Sequence, residues 1–480
     1  MRPQWLALYH ALPAPLRSWA ATARGLHLQH WRRGRDSEQL EQQALERDRW
    51  SDEQWRDFVE DRRARILHIA ATRVPWYREH WAARRRRGDR AAWDLLENWP
   101  QLEKEDLRAH PRAFLVDGAD PRRMFHEHTS GTTGKPLDLW RTRETVRTLY
   151  AIARARGRHW HGIAATARFA RLGGQLVIPV RQRRPPFWVW NGAMRQLYMS
   201  TYHLAPDLIP WYLAALREYR IIFLAGYTSA LAALARHALQ HGYGDLQMRA
   251  AITNAEPVTR EQREVIGRAF QTRVVETYGM AEAVAAASEC EAGQLHQWPE
   301  IGHIEIADVD ATGPDGDVGE YLCTGLLNAE MPLIRYRVGD RGTEPRRVPC
   351  ACGRTLPVIA SVQGRLTDLL ITRDGRRVFW LNPVFYGLPV RESQIEQNSL
   401  DTVVVRVVPG PGFGAETGRI LRDRLRERLG PIEVAIDLVT EIPRTPAGKL
   451  RAVICNVGTE DEYTGTDTGT AAGPHGSEQP

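Results

Sequence analysis

The chain has 480 residues, with 43% hydrophobic and 26% charged content and a formal net charge of +7, a composition typical of a globular protein. Its length exceeds what one hydrophobic core ordinarily supports, which predicts two or three domains. The sequence contains no apolar run of roughly 18 residues and therefore predicts no membrane-spanning helix. Its positive charge comes from scattered arginines, which argues against a nucleic-acid surface.

Residues 1–22 mix apolar and basic side chains and lack the apolar block and cleavage site of a signal peptide. This pattern predicts an amphipathic helix packed on the body of the protein, and a helix on a membrane surface is the alternative. The five cysteines are odd in number and widely spaced, which argues against a disulfide framework. Together these features predict a cytoplasmic protein.

Dense charge and few glycines predict helices over residues 38–115, with Pro75 and Pro100 as breaks. We therefore expect residues 1–100 to form a helical segment that packs on a larger domain. Beyond that segment, helical stretches alternate with short apolar runs. This alternation predicts a large α/β domain with buried strands over residues 101–364.

Three polar loops follow short apolar runs of this domain, at residues 226–229, 253–256 and 278–282. In open α/β sheets, ligands bind beyond the carboxyl ends of the strands. The sequence therefore predicts that these loops share one ligand-binding edge. Tyr227, in the first loop, is a candidate wall residue of the substrate pocket, although large aromatic side chains are more often core residues.

Residues 365–457 are predicted to form a small α+β domain. Within it we expect a strand over residues 403–408 and a helix over residues 416–429 that ends at a glycine. Alternating apolar residues predict a further strand over residues 432–438. The polar segment at residues 458–480, rich in threonine, glycine and serine, is predicted to be a disordered tail.

The distribution of lysine is the most informative feature of the chain. The 65 basic residues include only three lysines, Lys104, Lys135 and Lys449. The last two lie in glycine-bearing turn segments, at residues 129–136 and 443–449. Because the flat head of arginine does not replace the compact ammonium group where geometry is tight, both segments are predicted to be functional.

The first of these segments reads Thr-Ser-Gly-Thr-Thr-Gly-Lys-Pro. Its hydroxyls, glycines and lysine suit a backbone that approaches a phosphate closely. It is not a Walker A loop, because Thr129 stands where that motif has its first glycine and Pro136 where it has Ser or Thr. On its own, such a segment also fits an ordinary turn.

Several motifs, in their order along the chain, resemble the core motifs of adenylate-forming enzymes. They are residues 129–135, 276–282, 336–340, 364–365 and 448–449. Two further stretches, at residues 329–337 and 350–354, resemble the phenylacetate–CoA ligase branch and its relatives in capsule biosynthesis. The resemblance covers residues 100–456. It implies an α/β adenylate-forming fold, with a helical N-terminal extension and helix-flanked sheets in a large domain, followed by a small mobile α+β domain.

The resemblance also implies roles for individual residues. Lys449 is expected to reach in from the mobile domain during adenylation, Lys135 to contact the triphosphate, and Glu282 to hold Mg²⁺. The other expected nucleotide-binding residues are Ser130, Gly131, Thr132, Thr133, Gly134, Asn254, Ala255, Glu256, Thr277, Tyr278, Gly279, Asp340 and Arg365. Asp340 is expected to bind the ribose hydroxyls. Family members more often have glycine where this chain has Asn254.

These features predict ATP- and Mg²⁺-dependent activation of a small carboxylic acid as acyl-adenylate, followed by transfer to coenzyme A. The chain departs from the family at Thr367, where Asp or Lys is common, and in the loop over residues 372–378. Adenylation is therefore better supported than transfer to coenzyme A. Transfer to another acceptor in capsule or exopolysaccharide biosynthesis is the alternative. A nucleotide-binding scaffold without turnover is a third hypothesis, against which the intact Lys449 and Glu282 argue.

Cys290, His296, Cys350 and Cys352 form two pairs with the spacings C-x5-H and C-x-C. A set of three cysteines and one histidine suits a tetrahedral structural zinc ion. The alternative is a group of buried free cysteines, because the two pairs are far apart in sequence and C-x-C is a tight spacing for a zinc finger.

Overall fold

The structure is a computed structural model of the chain. It describes residues 3–128, 137–179, 181–205, 207–243, 245–256, 258, 260–313, 315–363, 369–374, 377–379, 381–385, 387–443 and 453–457.

Helices make up most of the first 86 residues and recur between the later strands. The α-helices are α1 (Pro3–Ala11), α2 (Ala14–Arg32), α3 (Ser37–Arg47), α4 (Asp52–Arg73), α5 (Pro75–Arg86), α6 (Lys104–Ala109), α7 (Arg143–Gly157), α8 (Ile209–Glu218), α9 (Thr228–Gln240), α10 (Arg260–Phe270) and α11 (Ala415–Leu429). A capping box of Ser51 and Gln54 starts α4. Pro75 separates α4 from α5 as predicted, because proline fits the first turn of a helix but not its interior. Among the described residues, no helix is both long and apolar enough to cross a bilayer.

The strands follow from residue 125 onward. They are β1 (Phe125–His128), β2 (Asp138–Arg141), β3 (Phe169–Gly173), β4 (Trp188–Asn191), β5 (Gln196–Ser200), β6 (Phe223–Tyr227), β7 (Ala251–Asn254), β8 (Val274–Gly279), β9 (Ala286–Glu289), β10 (Leu295–Gln297), β11 (Gly302–Gly313), β12 (Gly316–Gly325), β13 (Tyr336–Thr343), β14 (Val358–Ile359), β15 (Val362–Gln363), β16 (Leu369–Ile371), β17 (Arg377–Phe379), β18 (Val390–Gln397), β19 (Thr402–Pro409), β20 (Glu433–Leu438) and β21 (Val453–Cys455).

The main sheet has the strand order β14-β10-β9-β8-β7-β6-β3-β5-β4 in the described part of the chain. Its central strands β5, β3, β6, β7 and β8 run parallel to one another. Helices α8, α9 and α10 contribute Leu213, Leu231 and Phe270 to the core on this sheet. Parallel strands are covered on both faces, which explains their continuous apolar runs. The predicted α/β architecture is therefore confirmed.

In the described residues, two four-stranded sheets accompany the main sheet, besides the two-stranded sheets β1-β2 and β16-β17. The antiparallel sheet β11-β12-β13-β15 shares a core with the N-terminal helices, in which Tyr77, Trp99 and Tyr336 are buried. The C-terminal sheet β20-β19-β18-β21 packs on α11 through Leu421 and Leu425. The predicted C-terminal helix and strands are confirmed, whereas the predicted domain boundaries stay a prediction.

Candidate functional site at the carboxyl edge of the main sheet

Three neighbouring parallel strands bring polar residues to one edge of the main sheet. Strands β6, β7 and β8 end at Tyr227, Asn254 and Gly279, and Tyr227 lies opposite Asn254 in the register. The Thr277 hydroxyl donates to the Thr253 carbonyl oxygen at 2.6 Å, which ties β8 to β7. The loops after these strands therefore share one edge, as the sequence predicts.

The loop after β7 combines a polar anchor with backbone strain. In the orientation that gives partners to both the oxygen and the nitrogen of its side-chain amide, Asn254 donates to a β6 carbonyl oxygen at 3.1 Å and accepts from Arg171 Nη2 at 3.2 Å. Ala255 has a φ of 66°, in the left-handed region that is costly for a residue with a Cβ. The Thr228 hydroxyl donates to the Glu256 carbonyl oxygen at 3.1 Å. Strain of this kind is frequent at ligand-binding sites.

Tyr278, near the end of β8, and Asp340, in β13, connect the main sheet with the second sheet. The Tyr278 hydroxyl donates to Asp340 Oδ2 at 3.1 Å. Burial, followed by the neighbouring Asp340 charge, raises the pKa of Tyr278 well above its usual value, so the phenol stays protonated. The pair therefore presents a carboxylate that a neighbouring phenol holds in place.

Glu282 follows β8 and is 7% exposed. Its Oε1 accepts a hydrogen bond from the Tyr336 hydroxyl at 2.9 Å and lies 3.3 Å from Lys104 Nζ. A buried carboxylate needs such partners, because burial alone disfavours its charged form. Carboxylate oxygens are ligands that Mg²⁺ prefers. Glu282 therefore has the chemistry of the metal-binding role that the resemblance implies.

Lys104 is a site residue to which the sequence analysis assigned no role. It reaches Glu282 because Leu102, two residues earlier, pairs with the backbone at the start of β13. The Leu102 amide donates to the Arg335 carbonyl oxygen at 2.9 Å, and the Arg337 amide donates to the Leu102 carbonyl oxygen at 3.0 Å. Helix α6 begins directly after this bridge, at Lys104. The rarity of lysine was the signal that could have identified this residue.

Arg171 is a second residue that sequence reasoning missed. It is the charged residue of β3, whose sequence is Phe-Ala-Arg-Leu-Gly. Besides contacting Asn254, it acts through its positive charge on the buried Tyr198. Tyr227 belongs to the same group, and burial, together with Tyr198, raises the pKa of Tyr227 far above its usual value. A guanidinium among protonated phenols suits a polar or anionic part of a substrate. An arginine in an otherwise apolar strand was the available signal.

Several predicted site residues lie outside the residues that the structure describes. They are Ser130, Gly131, Thr132, Thr133, Gly134, Lys135, Arg365 and Lys449, and the predicted tail over residues 458–480 lies outside them as well. Strands β1 and β2, on either side of residues 129–136, pair as an antiparallel hairpin in which His128 lies opposite Asp138. The expected roles of these residues stay predictions.

The predicted metal ligands Cys290, His296, Cys350 and Cys352 come together in one cluster. One ligand atom from each lies within 4.8 Å of the others. Cys290 Sγ is 3.7 Å from Cys350 Sγ, and Cys352 Sγ is 3.4 Å from His296 Nε2. Ligands about 2.3 Å from a tetrahedral zinc ion lie roughly 3.7 Å from one another. The four side chains therefore fit this ion.

The surroundings of this Cys/His cluster favour a closed site. His296 Nδ1 hydrogen bonds to the Leu356 carbonyl oxygen at 2.9 Å, which directs Nε2 toward the cysteines, as is usual for metal-binding histidine. Burial raises the pKa of the Cys290 thiol to about 12, so a cation is required to hold it as thiolate at neutral pH. Four protein ligands without an open position are typical of structural zinc.

A buried ion network adjoins the Cys/His cluster. Arg156 is fully buried and donates to both carboxylate oxygens of Glu300 at 2.8 Å and to Asp48 Oδ1 at 2.9 Å. Trp160 Nε1 donates to Asp48 Oδ2 at 2.7 Å, and its ring meets that of His296 edge-on at 5.9 Å. Burial acts to raise the pKa of Glu300, but the guanidinium groups of Arg156 and, to a smaller extent, Arg47 outweigh it and lower the pKa to about 2.

The architecture resembles that of solved acyl-CoA ligases. A solved structure of 2-hydroxyisobutyryl-CoA ligase in complex with 2-HIB-AMP and CoA matches with a TM-score of 0.54 and 20% identity, over 85% of this chain and 91% of that chain. The same ligase in its postadenylation state with R3-HIB-AMP gives a TM-score of 0.51 and 19% identity, over 86% and 91%. At these identities the likeness shows the fold alone, and it confirms the predicted fold class.

Curated relatives show which branch of these enzymes the chain resembles. Protein CapK of Staphylococcus aureus is 26% identical over 372 residues, which cover 75% of this chain and 80% of the relative. Phenylacetate-coenzyme A ligase of Thermus thermophilus is 27% identical over 449 residues, which cover 84% and 96%. Residues 370–456 match the family model of the CapK C-terminal domain. The predicted resemblance to the phenylacetate–CoA ligase-like branch of the adenylate-forming superfamily is confirmed.

Proposed function

We propose that this protein is an AMP-forming acid–coenzyme A ligase. It joins a carboxylic acid to the α-phosphate of ATP, releases pyrophosphate, and then transfers the acyl group to the thiol of coenzyme A. The curated relatives include a phenylacetate-coenzyme A ligase, and the structural neighbours include an acyl-CoA ligase. The observation that carries the proposal is the buried Glu282 carboxylate, placed together with the Tyr278–Asp340 pair at the carboxyl edge of the sheet.

Each group at this edge has a task in adenylation. Asp340, held by Tyr278, accepts hydrogen bonds from the ribose hydroxyls of ATP. Lys104 pairs with Glu282 and supplies a positive charge beside it. Mg²⁺ bound at Glu282 supplies positive charge that neutralises the phosphates. Because attack of a carboxylate on the α-phosphate brings two anions together, Lys449 offsets their repulsion as charge builds in the transition state.

The identity of the acyl acceptor distinguishes two candidate functions. Coenzyme A is the acceptor in the reaction proposed above. The match of residues 370–456 to the CapK C-terminal domain favours a second candidate, transfer of the acyl group to another acceptor in capsule or exopolysaccharide biosynthesis. The departures from the ligase pattern at Thr367 and residues 372–378 support the same candidate.

The acid is proposed to lie near Tyr227, beside Arg171 and Tyr198. Arginine forms directional hydrogen bonds to carboxylates, phosphates and hydroxyl groups. This guanidinium therefore favours an acid whose acyl part carries a further polar or anionic group over a purely apolar acid.

We also propose that the Cys/His cluster holds a structural zinc ion. The distances between its ligand atoms support this assignment, as does the orientation of His296. The cluster joins the loop that carries Cys350 and Cys352 to β9 and β10 of the main sheet, so the ion acts on stability and takes no part in the chemistry.

Release of pyrophosphate from ATP and Mg²⁺ tests the proposed function, measured across aryl, fatty and sugar acids with and without coenzyme A. We expect release that depends on one class of acid and accelerates with coenzyme A. Acid-dependent release that is indifferent to coenzyme A would support the second candidate. The Lys449→Ala variant is the matched control, expected to bind ATP but to release pyrophosphate roughly 10²–10³-fold more slowly. Absence of release with every acid would contradict both candidates and favour the nucleotide-binding scaffold.

A further inference from the structure

The N-terminal helix α2 docks on the protein through its polar side. The Ser18 hydroxyl accepts from the Trp190 amide at 3.1 Å, and the Thr22 hydroxyl accepts from the Gly192 amide at 2.9 Å. The Gln29 side chain donates to a carbonyl oxygen of the turn after β4. These contacts place one polar face of the helix against the β4 edge of the main sheet.

The opposite face of α2 is apolar and points away from the protein. Leu16, Trp19, Ala23 and Leu26 recur at the spacing of one helix face and are all exposed. Trp19 is 75% exposed and Leu26 is 60% exposed. This arrangement reverses the usual amphipathic pattern, in which the apolar face of a surface helix is buried in the core.

Helix α1 also carries large exposed apolar side chains. Its Trp5 is 61% exposed and its Leu8 is 59% exposed. In the described residues, five of the twelve exposed large hydrophobic side chains lie within the first 26 residues. Such a concentration differs from the scattered exposed apolar residues of an ordinary surface, and marks a site of interaction.

The charged side chains of the segment that carries these apolar residues are all basic. No Asp or Glu occurs before Asp36. The same segment contains the arginines Arg2, Arg17, Arg24, Arg32, Arg33 and Arg35. Arg24, Arg33 and Arg35 are exposed. A partner surface that fits this segment therefore has an apolar interior, which receives the exposed apolar side chains, and anionic groups on its outside, which pair with the arginines.

We propose that helices α1 and α2 dock the protein on an anionic lipid surface, with Trp5, Trp19 and Leu26 inserted among the headgroups. The helices lie along the membrane plane, and Arg24 and Arg33 contact lipid phosphates. A second copy of this chain fits less well, because a symmetric contact brings the same arginines face to face. The inference does not depend on the acid or on the acyl acceptor.

Flotation of the full chain with vesicles tests this docking. We expect the protein to float with an equal mixture of phosphatidylcholine and phosphatidylglycerol, and to bind phosphatidylcholine alone at least roughly tenfold more weakly. Trp19→Ser is expected to weaken binding to the mixed vesicles roughly tenfold, because the exposed indole no longer enters the interface. Trp211→Ser, which removes a 50% exposed tryptophan of α8, is the matched control and is expected to float like the unaltered protein.

Circular dichroism and pyrophosphate release in solution check that both variants are folded, since neither residue belongs to the proposed catalytic machinery. Equal flotation of Trp19→Ser and the unaltered protein would overturn the proposal. Failure of the unaltered protein to float with anionic vesicles would overturn it too. A dimer in solution that Trp19→Ser dissociates, without vesicle binding, would assign the surface to a second copy instead.

Discussion

The ion network around Arg156 and the site edge around Glu282 both contain buried carboxylates, but they satisfy them differently. Glu300 accepts two hydrogen bonds from the planar guanidinium of Arg156 and a third from Arg47 Nε. Glu282 is contacted by a phenol and by a flexible lysine. A bidentate arginine pair is rigid and directional, whereas lysine is a movable point charge. This contrast indicates that the arginines of the network fix this part of the structure. In the proposed function, the lysine beside Glu282 lies where partners exchange during the reaction.

The largest expected effect concerns the Cys/His cluster, which adjoins the ion network around Arg156. We expect about one zinc ion per chain, and we expect Cys350→Ser to remove it. Loss of a structural metal is among the largest single effects, so the free energy of unfolding should fall by about 4 kcal/mol or more. Elemental analysis and denaturant unfolding measure these effects. Cys455→Ser, outside the cluster, should keep the metal, and a metal-free unaltered protein of full stability would refute the zinc proposal.

Arg156→Met removes the central cation of the ion network. The variant removes the fully buried guanidinium that contacts both Glu300 and Asp48, although Arg47 still pairs with Glu300. The free energy of unfolding should therefore fall by about 3 kcal/mol. Denaturant titration measures the change. Arg260→Ala is the control, because Arg260 is 94% exposed in its pair with Glu264, and we expect a change within about 0.5 kcal/mol. Equal changes in the free energy of unfolding for the two variants would show that Arg156 stabilises the protein no more than an exposed arginine does.

Glu282→Gln tests the site edge at nearly constant shape. Without the negative charge, the Mg²⁺ ligand and the partner of Lys104 are lost, and pyrophosphate release should slow roughly 10²–10³-fold. Stability should change much less than in Arg156→Met. Initial rates with saturating ATP measure the effect, with the exposed Glu264→Gln as control. An unchanged rate would exclude Glu282 from the adenylation step.

The pKa of Glu300 predicts a pH dependence of stability. Its native pKa of about 2 is lower than the ordinary value of 4.5. The stabilisation is therefore fully present above about pH 4.5 and is lost as the pH falls toward about 2, on the order of 3 kcal/mol in all. Glu300→Gln should flatten the fall of the unfolding free energy between about pH 5 and about pH 3. An identical slope in both proteins would show that Arg156 does not hold Glu300 ionised.

The smallest expected effect tests the difference between lysine and arginine directly. Lys104→Arg keeps the charge beside Glu282 but replaces a compact ammonium by a wider planar group. We expect pyrophosphate release to slow by about tenfold while stability is retained. Full activity of Lys104→Arg would mean that the scarcity of lysine carries no functional meaning at this position.

Much of the fold followed from local pattern. The apolar runs of β6, β7 and β8 were recognisable because parallel strands are buried on both faces. Because the carboxyl ends of parallel strands lie at the same edge of a sheet, this pattern was enough to predict that Tyr227, Asn254 and Tyr278 share one edge. Lys104 and Arg171 escaped notice, because each contacts the site through pairing between strands that are distant in sequence.

The sequence by itself determined the fold class, the resemblance to adenylate-forming enzymes and the composition of the Cys/His cluster. These properties reside in residue types, in short spacings and in the order of motifs along the chain. The tertiary structure alone decided that Cys290 and Cys350 meet at 3.7 Å and that Lys104 lies beside Glu282. It also decided that α2 turns its apolar face outward, because only the neighbouring β4 edge, with amides for Ser18 and Thr22, determines which side of an amphipathic helix is covered.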